Sequence, residues 1–306
     1  MDDRIICRIL SGPTASGKTE LSLRLAEKHG WEICCMDSMQ VFRGMDIGTA
    51  KPTSEDRKRV PHHMLDLCDP AENFSVAAYR DLAEELIRRK WKEERKELLF
   101  VGGTTLYLLA LTQPMEFGTV PADEGMREEL HRLAEKPEGK TALHRILAEL
   151  DPETAERLPE NDIRRTIRAI EVSRATGVPF SKQPSRKILS PFSWKTAALS
   201  IPKEILYERI NQRVMQMMEK GLPDEVRGLL DRGVPPEAQS MQALGYKECI
   251  LYLRYRNSLE ETIELIRKGT RHYAKRQETF FRGHREIPRV IALGKETERE
   301  LERILA

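Results

Sequence analysis

The sequence predicts an α/β fold, a P-loop-type parallel sheet core flanked by helices with a helical insertion domain, and three observations predict it. First, residues 12–19 read Gly-Pro-Thr-Ala-Ser-Gly-Lys-Thr, which fits the phosphate-loop spacing of Gly, four residues and Gly-Lys-Thr. Second, an apolar run at 5–10 leads into this loop and an amphipathic run at 20–28 leads out, the strand–turn–helix context that the motif requires. Third, from about residue 116 the short apolar runs give way to charged, helix-forming segments, and strand-like sequence returns near Trp194. The catalytic core is therefore expected over 1–115 and 192–306, and the insertion over 116–191.

In the loop, Gly12 and Gly17 let the backbone close around phosphate oxygens, and beyond Pro13, which has no N–H, the N–H groups from Thr14, Ala15 and Ser16 onward face an anion at a helix start. Lys18 is expected against the phosphates, and the Thr19 hydroxyl is the expected Mg2+ ligand. The residues 32–36 form a second buried strand ending in Asp37, Ser38, Met39 and Gln40. Side chains at the carboxyl ends of parallel strands gather beside such a loop, which places Asp37 toward whatever the loop binds, although an aspartate in a turn would also explain it. Residues 44–52 are loop-like and could form a flap. The adjacent His62 and His63 point apart on a helix or a strand and make a poor metal pair.

Residues 75–91 have helical periodicity. Residues 97–101 form a third strand ending in Gly102, Gly103 and Thr104, where a nucleoside-triphosphate hydrolase would carry a magnesium-binding aspartate. The glycines there permit close approach by a ligand, and Thr104 can donate a hydrogen bond. In the insertion, residues 141–150 and 163–176 are helices. Ile163, Ile167 and Ile170 share one face of the second, with Arg164, Arg165 and Arg168 opposite. Residues 194–201 are a return strand, and 204–220 form a helix with Arg209 and Arg213 one turn apart, so both can reach one site. Residues 239–246 are a turn entering a helix. Residues 270–285 mix Arg271, Tyr273, Lys275, Arg276, Gln277, Phe280 and Phe281, a pattern that suits base stacking with phosphate contact as well as an amphipathic core helix.

Composition narrows the classes. The 306 residues are 40% hydrophobic and 33% charged, room for two soluble domains. No apolar run is long enough for a membrane span and the start lacks a signal-peptide pattern, so no membrane partner and a cytoplasmic location are expected. The five cysteines (Cys7, Cys34, Cys35, Cys68, Cys249) have no zinc spacing and read as reduced structural thiols. The net charge of +2 hides a polarity: 13 acidic against 6 basic residues over 116–162, then 8 basic against 1 acidic over 163–195, and 7 against 1 over 267–285. Two basic stretches suit a polyanion larger than a nucleotide; solvated helix faces would explain either one alone.

These residues together resemble one family, the tRNA dimethylallyltransferases, also called tRNA isopentenyltransferases. The matching motifs are the loop at 12–19, Asp-Ser-Met-Gln-Val-Phe at 37–42, Gly-Met-Asp-Ile-Gly-Thr-Ala-Lys-Pro at 44–52, and Pro-His-His at 61–63. Gly-Gly-Thr at 102–104, Asn161-Asp162, Gly-Tyr-Lys-Glu at 245–248 and Ala-Lys-Arg-Gln at 274–277 follow in family order, over nearly the whole chain. Phe42 and Phe280 stand where relatives often carry Tyr and Trp, and with no zinc-finger pattern after Arg285 the chain resembles the short bacterial form.

The resemblance implies transfer of a dimethylallyl group from dimethylallyl diphosphate to the N6 amine of the adenosine 3′-adjacent to the anticodon in tRNA. A diphosphate leaving group would explain the absence of a hydrolytic aspartate after the third strand. Asp37 would be the general base. Lys18, the loop amides, Thr19 with Mg2+, Arg213 and, as a second contributor, Arg209 would stabilise the diphosphate, and Thr104 would orient it or the acceptor. The tRNA contacts implied by the match are Asp37 to Gln40, Thr104, Arg127, the run Arg164, Arg165, Thr166, Ile167 and Arg168, and the run Met241, Gln242, Ala243, Leu244, Gly245 and Tyr246. The basic C-terminal helix, through Arg271, Lys275, Arg276 and Gln277, would hold the anticodon stem-loop with the insertion. A monomer is expected. The rival readings are a P-loop small-molecule kinase using ATP and a non-catalytic RNA-binding protein.

Overall fold

The computed structural model describes residues 4–113, 120, 123–183, 190–294 and 296–306. The chain divides into two compact units, one of residues 1–113 with 190–306 and one of residues 114–189. The expected start of the insertion near residue 116 lies outside the described residues, as do Arg186 and Lys187 of the first basic stretch.

In chain order the first unit opens with β1 (Ile5–Ser11), α1 (Lys18–His29), β2 (Glu32–Cys35), α2 (Ser54–Arg59), β3 (His62–His63), α3 (Val76–Glu94), β4 (Leu98–Val101) and α4 (Thr105–Thr112). The second unit carries α5 (Glu124–Ala134), α6 (Gly139–Leu150), α7 (Pro152–Arg157) and α8 (Ile163–Thr176). The first unit resumes with β5 (Phe192–Ser200), α9 (Lys203–Glu219), α10 (Leu222–Asp231), α11 (Tyr246–Leu253), α12 (Leu259–Gly283), β6 (Arg289–Ile291) and α13 (Glu296–Leu305).

Among the described residues the sheet has six strands, all parallel, in the order β3-β2-β4-β1-β5-β6. Central parallel strands are covered on both faces, which is why β4 reads as an unbroken apolar run and β2 as one after Glu32, rather than as alternating ones. β1 lies between β4 and β5, and its last residues are all buried, so the loop that follows emerges from the middle of the sheet at its carboxyl edge.

β3, β6 and α13 are among the elements that were not legible in the sequence. His62 and His63 form the edge strand β3, and their rings part as expected: His62 Nδ1 lies 2.7 Å from Val60 O and His63 Nε2 lies 2.6 Å from Glu32. β6 is three residues long with two exposed, too short for a period-2 signal. α13 buries only Thr297, Leu301 and Leu305 of an otherwise charged run. In addition, α12 begins at Leu259, ahead of residue 270, because Ser258 and Glu261 form a reciprocal capping box.

The segment 44–52, expected as a possible flap, is pinned. Glu225 accepts the N–H groups of Asp46, Ile47 and Gly48 at 2.9, 2.8 and 3.2 Å. Lys51, its side chain 1% exposed, donates to Asp46 and Asp66 at 2.7 Å each and to Phe42 O at 2.8 Å. A buried ammonium with three acceptors opposes any swing of this loop.

The second unit closes around Leu130, Leu143, Leu147, Ile167 and Ile170. Asp162 caps α8 by accepting the Arg165 N–H, and Gly177 ends it in the left-handed region. Glu171 is fully buried and holds Arg127, Arg168 and the Asp123 N–H. Burial pushes its carboxyl up, but the hydrogen bonds from Arg127 and Arg168 outweigh this and keep it below the usual range.

Candidate active site

The phosphate loop is shaped by close packing at the carboxyl ends of β1, β4 and β5. Gly12 has φ 136°, and a Cβ there would lie 2.9 Å from Leu199 O. Ala15 and Gly17 also have positive φ, 62° and 95°, and α1 starts at Lys18 with no side chain capping it. An uncapped helix start leaves N–H groups for an anion. Ser16 Oγ is buried and has no hydrogen-bond partner, the state of a donor that awaits a ligand. Lys18 Nζ donates to the loop's own carbonyls, Gly12 O at 3.0 Å and Pro13 O at 2.7 Å. Surrounding protein, and then the charge of Arg213, pull the Lys18 ammonium down to about 7, against an opposing pull from Asp37.

α9 supplies the arginines. Ala15 packs with Ile201, Leu206, Ile210 and Ala274, which fixes α9 and α12 on the loop. Arg209 comes close enough that a Cβ on Gly17 would lie 3.7 Å from its Nη1. Arg213, one turn on, is half-buried; burial lowers its pKa and the Asp37 carboxylate raises it. Lys18, Arg213 and Asp37 thus share one electrostatic neighbourhood, two cations and one carboxylate.

Asp37 lies two residues beyond the end of β2. Its Oδ1 accepts the Met39 N–H at 2.9 Å, a local turn that orients the carboxylate. Ser38 N–H donates to Thr104 Oγ1 at 3.0 Å, which ties the ends of β2 and β4 together. Thr104 is also the residue that precedes α4. The phenol of Tyr273 on α12 is pushed up by burial and then by the charge of Asp37. Tyr107 feels the same two influences.

The glycines after β4 have a different cause from the ligand approach expected. A Cβ on Gly102 would lie 1.9 Å from Met36 O, and one on Gly103 would lie 2.3 Å from Gln277 Nε2. The Met36 backbone closes the first position to any side chain, and the Gln277 carboxamide occupies the second.

Against this geometry, the sequence profile of the IPP transferase family matches residues 40–284. The chain belongs to the IPP transferase family. It is 45% identical over 285 residues to a tRNA dimethylallyltransferase of Pelotomaculum thermopropionicum, covering 91% of this chain and 88% of that one. With the tRNA dimethylallyltransferase of Halalkalibacterium halodurans it shares 44% over 278 residues, 90% of this chain and 88% of the relative. Among solved structures, a full-length tRNA isopentenylpyrophosphate transferase from Bacillus halodurans superposes with a TM-score of 0.72 at 40% identity, covering 99% and 94% of the two chains. A eukaryotic dimethylallyltransferase acting on tRNA gives 0.77 at 26%, covering 98% of this chain and 78% of its own.

Set against the other residues implied for an IPP transferase, the structure divides them. Gln277 is a correction: it is 3% exposed, accepts the Thr14 N–H at 2.9 Å and donates to Gly103 O at 2.6 Å, so it holds the phosphate loop and is not presented to RNA. Thr166 and Ile167 are buried inside the second unit, leaving Arg164 and Arg165 as the exposed members of that run. Arg127 and Arg168 are half-buried on Glu171. Met241, Ala243, Gly245 and Tyr246 are buried, with Tyr246 donating to Glu225 at 2.5 Å, so Gln242 and, in part, Leu244 carry the exposed part of that segment.

On α12, Lys275 and Arg276 are exposed, while Arg271 is braced on Asn211 at 2.6 Å. The aromatic half of this helix is internal: Phe281 is buried and Phe280 stacks on His284 at 3.9 Å. Phe42 is fully buried, so it offers no stacking surface. Gln40 donates to Thr49 O at 2.9 Å and is half-buried. Sequence reasoning missed that Tyr273 and Gln277 lie on one inward face of α12, and their i, i+4 spacing was the available signal.

Proposed function

We propose that the chain transfers a dimethylallyl group from dimethylallyl diphosphate to the N6 amine of the adenosine 3′-adjacent to the anticodon of a tRNA, releasing diphosphate. The observation that carries this reading is the meeting of Asp37 with Lys18 and Arg213 at the phosphate loop. At Gly102, directly after β4, a side chain would collide with the Met36 backbone.

The adenine amine is a weak nucleophile because its lone pair is delocalised into the ring. Its nitrogen attacks the allylic carbon, the carbon–oxygen bond to diphosphate breaks, and the proton released from nitrogen passes to Asp37. Most of the rate then comes from holding the two reactants in line and from stabilising charge on the departing diphosphate. Lys18, Arg213, Arg209, the loop N–H groups and the unpartnered Ser16 hydroxyl supply that stabilisation. Lys18 Nζ spends two of its three N–H groups on the Gly12 and Pro13 carbonyls, which leaves the third for the diphosphate.

The residues fit Mg2+ only in company with the diphosphate. Among the described residues no cluster of His, Cys, Asp or Glu could hold a metal ion, whereas the exposed Thr19 hydroxyl at the start of α1 could complete a shell of diphosphate and water oxygens. Bound there, Mg2+ would neutralise charge on the leaving group.

For the RNA, exposed Arg164 and Arg165 on one unit, and Lys275 and Arg276 on the other, are the phosphate contacts we propose. The target base leaves its stack to reach Asp37, as chemistry on a base requires. One chain supplies the whole Lys18–Asp37–Arg213 cluster, so a monomer suffices. No described helix is long and apolar enough to cross a membrane, and the five buried free thiols suit the reducing cytoplasm.

The test is incubation with dimethylallyl diphosphate, Mg2+ and unmodified tRNA, followed by mass analysis of the RNA. One C5 unit on that adenosine is expected, and Asp37→Ala is expected to abolish it while tRNA affinity stays nearly constant. Phosphorylation of a small molecule from ATP without prenylation would establish the kinase reading instead.

A further inference from the structure

One carboxylate of the first unit joins two segments that the proposed reaction uses. Glu225 on α10 is half-buried, and its Oε2 accepts the N–H groups of Asp46 and Ile47 at 2.9 and 2.8 Å. Its Oε1 accepts the Gly48 N–H at 3.2 Å and the Tyr246 O–H at 2.5 Å. The Tyr246 ring also packs against Gly48, where a Cβ would lie 2.4 Å from it. Tyr246 closes the run 241–246, so Glu225 ties that run to the 44–52 segment.

Residues 46–51 form one block. Within it the Ala50 N–H donates to Ile47 O at 3.1 Å and the Lys51 N–H to Asp46 O at 3.0 Å. The first amides of the block point at Glu225, and its later carbonyls, Thr49 O and Ala50 O, accept from Gln40 Nε2 at 2.9 and 3.2 Å. Gln40 then turns Oε1 to the Cys35 thiol, which donates to it at 2.9 Å. Cys35 ends β2, so this bond closes residues 35–40 into a turn with Asp37 inside it. A shift of the 46–51 block is therefore passed to the Asp37 turn through the Gln40 carboxamide.

We infer that Glu225 is a positioning residue: it sets the separation between the turn that carries Asp37 and the 241–246 segment, and with it the approach of the adenosine amine to that carboxylate. The inference rests on the proposed tRNA prenylation and adds to it a residue that acts from outside the reacting groups. A carboxylate suits the task because it only accepts, and here its two oxygens meet four donors. Glutamine in its place offers one oxygen and an NH2 group, and in either orientation at least one N–H of the block faces that NH2 without an acceptor. Ser16, Lys18 and Arg213 stand on the phosphate loop, α1 and α9, outside this chain of bonds, so donor binding is independent of it.

Single-turnover transfer from dimethylallyl diphosphate to a saturating, unmodified anticodon stem-loop RNA is measured for wild type, Glu225→Gln, Tyr246→Phe, Gln40→Met and the double variant of Glu225→Gln with Gln40→Met. Each protein is assayed at a temperature where its melting curve shows it fully folded. The expected result for Glu225→Gln is a loss of about tenfold in rate, as for a reacting group held slightly out of line. The KM for dimethylallyl diphosphate should hold within about twofold. Tyr246→Phe keeps the ring on Gly48, removes one of the four bonds and should slow transfer by about threefold. The double variant should lose little more than the slower single variant, because both act through one turn. A purely structural Glu225 would lower the melting temperature and leave the folded enzyme at the wild-type rate, and that result overturns the inference. A donor KM that rises in step with the rate loss, or losses that multiply in the double variant, overturns it as well. Should Glu225→Gln not fold, Tyr246→Phe decides alone: slower transfer at an unchanged donor KM supports the inference, and the wild-type rate overturns it. A wild-type protein that transfers no prenyl group overturns the proposed function, and the inference falls with it.

Discussion

Replacing Gln277 by alanine should damage the phosphate loop from a distance. The carboxamide is 3% exposed and makes two hydrogen bonds, from the Thr14 N–H at 2.9 Å and to Gly103 O at 2.6 Å. Each bond contributes about 1 kcal/mol net, and each backbone group left buried without a partner costs about 1–3 kcal/mol. Water entering the vacated space would recover part of this, so a loss of about 2–4 kcal/mol is expected. For a unit of this size that corresponds to a fall of about 4–8 °C in melting temperature. Calorimetry of Gln277→Ala gives the stability change, and titration with dimethylallyl diphosphate gives the second readout. Because the two bonds hold Thr14 inside the loop, donor affinity should fall in parallel at temperatures where the variant is fully folded. A Gln277→Ala protein with wild-type melting and wild-type donor affinity would refute the claim that this residue holds the loop.

Other expectations concern charge. Lys18 has its pKa lowered from 10.5 to about 7 in the ligand-free fold, so the folded state is penalised below pH 7 and the penalty fades as pH rises from 7 toward 10.5. A diphosphate favours the ammonium, so donor binding above pH 7 should take up a proton and weaken by up to about tenfold per pH unit, with no such slope below pH 7; calorimetric titration in buffers of different ionisation heat measures the uptake, and a flat profile from pH 7 to 9 contradicts it. Arg164→Ala and Arg276→Ala should each weaken tRNA binding and lower the slope of log affinity against log salt by roughly 0.7–0.9 for each RNA phosphate that the arginine neutralises. An unchanged slope would return that residue to the solvated surface. Lys51→Met removes a buried ammonium that pairs with Asp46 and Asp66, and should destabilise the first unit by about 3–5 kcal/mol, read in denaturant unfolding; a smaller loss would mean that Glu225 alone holds the 44–52 turn.

The parallel sheet, the phosphate loop and the neighbourhood of Asp37 were legible because each depends on local signals: an apolar run, glycine spacing, and the rule that side chains collect at strand ends. The causes behind some of those signals were not legible. Gly102 and Gly103 read as room for a ligand, yet their reason lies in Met36 O and Gln277, residues far away in sequence. Gln277 read as part of a basic RNA-binding helix because its neighbours Lys275 and Arg276 are basic; its own side chain turns inward, and only the helical phase relative to the sheet decides that. The 44–52 segment read as a possible flap because its run Gly-Thr-Ala-Lys-Pro is loop-like. Its anchors, Glu225 and the burial of Lys51, come from tertiary packing that spacing does not encode.

The central claim is that a phosphate loop serves here to remove a leaving group, and product stoichiometry tests it most directly. Diphosphate and prenylated adenosine are measured together in a single-turnover reaction of the protein with dimethylallyl diphosphate and tRNA. One diphosphate per transferred C5 unit, with no release when RNA is omitted, is the predicted result. Diphosphate released without RNA, or orthophosphate formed from ATP with no transfer, would contradict it.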